Sequence, residues 1–321
     1  MLSNTATSPF IDPLAVEAWD AWFRWREGPM LQDVSIDDTW QRVAAGCAEA
    51  EIAGEVHRWK TRFIDAFATW RLLPDERLLT TAGTGQMERY ADAPGACLNA
   101  AAFVLAAGSD HAHIEHDAVV SCAQLAVRLL DDAGQMAQSV TPYLRVGIVG
   151  MADALLLLGL SYDSTHGREK AAEFAAALWE GCVRGSVQLA QERGAVRAGR
   201  REIMARGTRL NLAPELMKDA ARHGLRHARL TAVNSQRRLA VLANKVADAL
   251  DPPQDGVCTH QIQTPSGVRV LQSPGYAANV LGSKDRTSHV VADETASTLP
   301  WQAQLEMRAA VQPWMDEPII Y

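Results

Sequence analysis

The sequence has 321 residues, 48% hydrophobic and 21% charged, with a formal net charge of −7. That length buries a substantial core, as one large domain or two modest ones, and the acidic balance argues against a nucleic-acid partner although arginines cluster in 193–209 and 222–238. Five widely spaced cysteines without a C-x-x-C pair, no apolar h-region at the start, and a longest apolar run (Val146 to Leu160) broken by Asp153 predict a cytoplasmic protein with no membrane partner.

The first elements read as helices. Pro13 to Trp25 places Trp19, Trp22 and Trp25 along one side. Ser35 and Asp38 form a capping box for a helix continuing through Thr39 to Ile52. Gly54 to Arg71 carries Trp59, Phe63, Phe67 and Trp70 at helical spacing, an apolar stripe that reads as core. Leu73-Pro74 stops that helix, and Leu78 to Gly85 reads as a strand entering a Gly-Thr-Gly turn. Met87 to Pro94 is loop, and Cys97 to Leu105 reads as extended.

Helical patterns follow at Asp117 to Asp132, Arg145 to Leu160 and Arg168 to Arg193, the last closed by Gly194. A basic stretch leads to a helix from Pro214 to His223, closed by Gly224. Arg229 to Val233 reads as strand and Ser235 to Leu250 as helix, ended by Pro252-Pro253. Gln254 to Ser297 is rich in Gly, Ser, Thr and Pro, with short β-like runs at Val268 to Leu271 and His289 to Val291. Leu299 to Gln312 returns to helix and Pro313 ends it.

Several segments, in the same order, resemble large chains of ribonucleotide reductase, most nearly the adenosylcobalamin-dependent class. They are Asp38 to Ala44, Phe67 to Gly85 (FATWRLLPDERLLTTAGTG), Gly95 to Asn99 (GACLN) and Glu115 to Asp132 (EHDAVVSCAQLAVRLLDD). Arg145 to Ser164 (RVGIVGMADALLLLGLSYDS) is the most specific, followed by His223 to Ala232 (HGLRHARLTA) and Leu299 to Asp316 (LPWQAQLEMRAAVQPWMD). The resemblance implies a mainly α fold with a few short strands, an N-terminal helical domain plus a remnant of the reductase α/β barrel. The division it suggests is 1–73 helical domain, 74–253 partial barrel, 254–298 irregular β and loop segment, and 299–321 C-terminal helix.

The same resemblance fixes what chemistry to look for. The family removes a ribose hydrogen with a thiyl radical on a cysteine of an N-x-C-x-E loop, and draws reducing equivalents from a further cysteine pair. This sequence contains no N-x-C-x-E and passes from Gly85 to Gly95 where that loop belongs. Cys97 aligns with the second cysteine of the reducing pair and is the one candidate catalytic residue; a lone thiol cannot form the disulfide that drives turnover. The phosphate-receiving loop corresponds to Asn234, Ser235, Gln236, Arg237 and Arg238, where Ser235 is placed to cap a helix and either arginine to meet an anion. With the sequence ending at Tyr321, open barrel edges would need covering by a partner, a second copy or the segment Gln254 to Ser297.

His111, His113 and His116, beside Glu115 and Asp117, form the densest set of metal-type ligands, although Asp117 also complements the start of a helix. The leading expectation is a reductase-like protein that does not reduce ribonucleotides by itself and acts by binding a nucleotide, a second reductase-like chain or a copy of itself. The alternatives are an active or split adenosylcobalamin-dependent reductase component, and a metal-binding protein built on the histidines.

Overall fold

Local signals in the sequence set the first helix starts. In the computed structural model, which describes residues 9–86, 93–139, 142–282 and 295–320, Asp12 accepts the Leu14 N–H at 2.9 Å and Pro13 opens helix α1 (Pro13–Trp22). This helix is shorter than its tryptophan spacing suggests, because Phe23 and Arg24 both close on the Trp19 carbonyl, leaving Trp25 beyond it. A small hairpin of β1 (Arg26–Glu27) and β2 (Met30–Leu31) follows. The capping box of Ser35 and Asp38 starts α2 (Ile36–Ala48). Helix α3 (Val56–Ala68) buries Trp59, Phe63 and Phe67, and Phe67 and Trp70 pack on Trp40 with ring centroids 5.5 Å apart. The aromatic stripe is core.

The next segment corrects the sequence reading. The strand is β3 (Leu72–Pro74), and 78–85 is not extended: helix α4 (Glu76–Thr81) begins there. Asp75 is the reason. One oxygen caps the Leu78 N–H at 2.8 Å and the other takes the Gly95 N–H at 2.9 Å, which outweighs the β preference of the leucines and threonines.

Strand β4 (Gly95–Asn99) leads through a 3-10 turn (Ala100–Phe103) to a hairpin of β5 (Val104–Leu105) and β6 (His113–Ile114) and the long helix α5 (His116–Met136). The helix expected over 145–160 divides into strand β7 (Tyr143–Val149) and helix α6 (Met151–Leu157), hinged at Gly150 with φ +71°. Continuous apolar runs do not distinguish a buried strand from a buried helix. Close approach decides it: a Cβ at Gly147 would sit 2.7 Å from the Ala232 carbonyl.

Helix α7 (Thr165–Arg193) is capped by Ser164 and ended by Gly194. The basic stretch beyond it contains an unanticipated helix, α8 (Arg200–Arg209), before α9 (Pro214–His223) and β8 (Arg229–Thr231). The helix expected over 235–250 is only α10 (Arg237–Leu242), because Asn244 and Lys245 take left-handed φ of +63° and +62°. The Gly- and Thr-rich segment supplies a regular antiparallel hairpin, β9 (Cys258–Thr264) with β10 (Gly267–Ser273), and the short α11 (Tyr276–Leu281). Helix α12 (Trp301–Val311) runs into a 3-10 turn containing Pro313. The runs at 87–92 and 289–291 lie outside the described residues.

The fold is therefore mainly helical with a few short strands, and apart from the three hairpins the described strands form one open four-stranded sheet rather than a closed barrel. Its order is β3-β4-β7-β8, with β3 antiparallel to β4 and the rest parallel. The edge at β8, for which a partner, a second copy or the 254–297 segment were the expected covers, is met by the chain's own C-terminal residues. Asp316 accepts the N–H groups of Leu230 and Thr231 at 2.6 and 3.1 Å, and Asp316 and Glu317 donate to the Thr231 carbonyl.

One apolar cluster runs from Trp19 to Met315. Between α5 and the end of α7 it encloses charge. Arg193 pairs with Glu51 at 2.9 Å, Asp131 at 2.5 Å and Asp132 at 2.7 Å. Arg128 pairs with Glu51 and lies 3.8 Å from the Trp59 ring centroid. Burial opposes ionisation of Asp131, but His227, Arg193 and Arg226 outweigh it and hold the carboxyl low. Asp132 goes the other way: burial, aided by the Glu51 carboxylate and opposed by Arg193, pushes it up to about 8. Among the described residues, no helix is long and apolar enough to cross a membrane.

Candidate functional site

Cys97 sits in the middle of β4, paired with Leu73 on one side and Gly147 on the other. Its side chain belongs to a small apolar cluster with Leu73, Ala101, Val149, Ala240, Val246 and Ala277, and is 5% exposed. Burial pushes the thiol well above its ordinary range, and the carboxylates of Asp248 and Asp75 add to this. Such a thiol is a packing group and a poor nucleophile. Cys47, Cys122 and Cys182 are buried as well, and all five cysteines are unpaired.

Ala240, Val246 and Ala277 also line a cavity of about 1180 Å³, so Cys97 lies one layer behind its wall. The loop 234–238 contributes Arg237 to its lining. Ser235 does not cap α10; its hydroxyl donates instead to Asp248 Oδ2 at 2.5 Å. The Gln236 N–H donates to Asp248 Oδ1 at 2.6 Å. A carboxylate from within the chain thus occupies the donors that sequence reading assigned to an incoming anion. Asn234 is half-buried in the preceding turn. Arg238 is engaged elsewhere, with Glu76 at 3.1 Å and over the Trp22 ring. Arg237 alone of the two arginines faces the cavity.

The Asp248→Ala variant would leave the Gln236 N–H and the Ser235 hydroxyl without their acceptor. A loss of about 1–3 kcal/mol in urea unfolding is expected. An unchanged midpoint would mean that water replaces the carboxylate at no cost.

Asp153, the one charge in the apolar 146–160 run, anchors the cavity floor. It accepts the N–H groups of Ala247 at 2.6 Å and Ala277 at 2.9 Å. Burial raises its carboxyl despite these bonds. Its signal was visible in the sequence, as a lone carboxylate in an apolar helix-like run. Asp248, Lys245 and His260, which also line the cavity, carried no local pattern that could have singled them out.

The histidines do not assemble as a set. His113 Nδ1 lies 2.9 Å from the His111 carbonyl, and His116 begins α5 with its ring 3.8 Å from Asp117. His113 and His116, but not His111, border a separate hollow of about 230 Å³ together with His166. Among the described residues, no three His, Cys, Asp or Glu side chains are gathered closely enough to hold a metal ion. Adenosylcobalamin, which the resemblance implies, supplies a radical that a neighbouring thiol must receive. No cysteine of the described residues lines the cavity, so the residues present do not fit that cofactor.

No curated protein matches the chain. A sequence model of the ribonucleotide reductase barrel domain matches residues 95–319. That match runs from the strand of Cys97 to the residues that seal the sheet edge, well over half of the sequence, and the chain therefore belongs to the ribonucleotide reductase barrel-domain family.

Proposed function

We propose that this chain is a non-catalytic relative of the adenosylcobalamin-dependent reductases that acts by binding, with a nucleotide as its small-molecule ligand and a second reductase-like chain or a second copy as its protein partner. The observation that carries this reading is the position of Cys97. The one thiol aligned with the family's chemistry is enclosed in an apolar layer, with its proton held tightly by burial. The absence of N-x-C-x-E from the sequence agrees with it. The size of the cavity and the guanidinium of Arg237 on its lining support the nucleotide assignment.

The test is an assay of the isolated chain with ribonucleotides, adenosylcobalamin and a dithiol. No deoxynucleotide is expected. Product that depends on both additions would overturn the proposal. Equilibrium dialysis against labelled ATP examines the binding half, and retention of ATP is expected. A split enzyme is the second reading, favoured by the step from Gly85 to Gly95 where the radical loop belongs. It requires that turnover appear when a chain bearing N-x-C-x-E is added.

A further inference from the structure

Hydrogen-bonding groups that a folded chain leaves unmet describe the ligand that would meet them. One wall of the large cavity is built from the turn after α10 and the chain leading into the β9–β10 hairpin. Lys245, Gln254 and His260 all line it.

Gln254 is held in one orientation. Its Nε2 donates to the carbonyls of Gly256 at 2.8 Å and Ser273 at 2.9 Å, so the amide cannot be reversed, and Oε1 faces away from both. That oxygen is buried without a donor among the described residues, and His260 Nε2 is buried without a partner among them. Burial, reinforced by the nearby Lys245 ammonium, lowers the His260 pKa, so this imidazole is neutral and can donate or accept. Lys245 is half-buried and forms no ion pair among the described residues. The carboxylates nearby are already engaged: Asp153 by two backbone N–H groups, Asp248 by Ser235 and Gln236, and Asp251 by Arg308 at 3.2 Å. The backbone that presents Lys245 is strained as well, since Asn244, Lys245 and Ala249 all have positive φ. Such strain in non-glycine residues persists where the surrounding structure over-determines it.

The groups on this wall are a lysine ammonium with no ion pair among the described residues, a buried amide oxygen and a buried ring nitrogen of a half-buried imidazole. We propose that this wall binds a small organic oxyanion, phosphate or carboxylate, that also carries an O–H or N–H donor. The anionic group meets Lys245, with Arg237 on the same cavity lining, and the donor meets Gln254 Oε1 or His260 Nε2. This rests on the binding role proposed above and adds the chemistry of the ligand and the residues that select it.

The experiment is isothermal titration of the full chain with ribose 5-phosphate, gluconate and inorganic phosphate, alongside ATP. Binding of ribose 5-phosphate or gluconate is expected, tighter than inorganic phosphate, and which of the two binds identifies the oxyanion. Lys245→Gln and His260→Gln are each expected to weaken it at least tenfold, with thermal midpoints showing that both variants are folded. Failure of the unaltered chain to bind either compound, or unchanged affinity in both variants, overturns the proposal. If ATP is retained under those same conditions, the binding role stands and only the assignment of this wall falls.

Discussion

Replacing Arg193 by alanine is expected to lower the stability of the fold by about 3–5 kcal/mol, because the guanidinium is the shared partner of three enclosed carboxylates. Its contacts reach Glu51, Asp131 and Asp132 at 2.5–2.9 Å, and the side chain is only 15% exposed, so solvent screens little of the interaction. Arg128 and Arg226 still serve Glu51 and Asp131 in the variant. Asp132 has no such substitute. It responds by holding a proton more firmly, since burial already pushes its carboxyl up to about 8. A carboxyl raised in the folded state favours folding most at pH below its unfolded value and loses that contribution as pH rises through the folded value. The loss in Arg193→Ala is therefore expected to be smaller at pH 6 than at pH 8. Urea unfolding at both values measures it. Arg193→Lys keeps the charge but not the planar fork, and should recover only part of the loss. A loss under about 1 kcal/mol at pH 8 would mean that water reaches these carboxylates.

How much of this was legible in the sequence depended on how local each cause was. The capping box of Ser35 and Asp38 and the stripe of Trp59, Phe63 and Phe67 are written within a few residues, and both appear as read. Arg145 to Leu160 was misread because its apolar residues satisfy a buried strand and a buried helix alike. What separates them is the contact of Gly147 with Ala232 and of Gly150 with Asn99, neither of which is near in sequence. The helix over 235–250 failed for a similar reason. Ala247 must turn its N–H to Asp153 and its carbonyl to Gly150, and the left-handed residues at 244 and 245 accomplish that turn.

The candidate site divides along the same line. Cys97 was identifiable from the residues around it, but its enclosure by Ala240 and Ala277 was not. Of the five residues expected to receive a phosphate only Arg237 lines the cavity, while the carboxylate that satisfies Ser235 comes from Asp248, beyond a turn the sequence does not announce.

The Asp316→Ala variant is expected to open the sheet. Among the described residues strand β8 has no neighbouring strand beyond it, and its outward N–H groups are met by one carboxylate that also pairs with Arg206. Removing it leaves two backbone donors unmet and one arginine unpaired. Each unmet buried donor costs about 1–3 kcal/mol, so a total near 3 kcal/mol is expected after water enters part of the gap. The larger consequence concerns association. An unsealed edge beside two parallel strands offers a template for another chain, and a concentration-dependent shift to larger species should accompany the loss. Asp316→Asn keeps one oxygen for Leu230 and Thr231 and is expected to lose stability without that shift. Unfolding midpoints and light scattering across a concentration series separate the two effects. If Asp316→Ala destabilises without associating, then the flanking bonds from Asp316 and Glu317 N–H to the Thr231 carbonyl are enough to protect the edge. If it does neither, the carboxylate is not what keeps this open barrel remnant from pairing with itself.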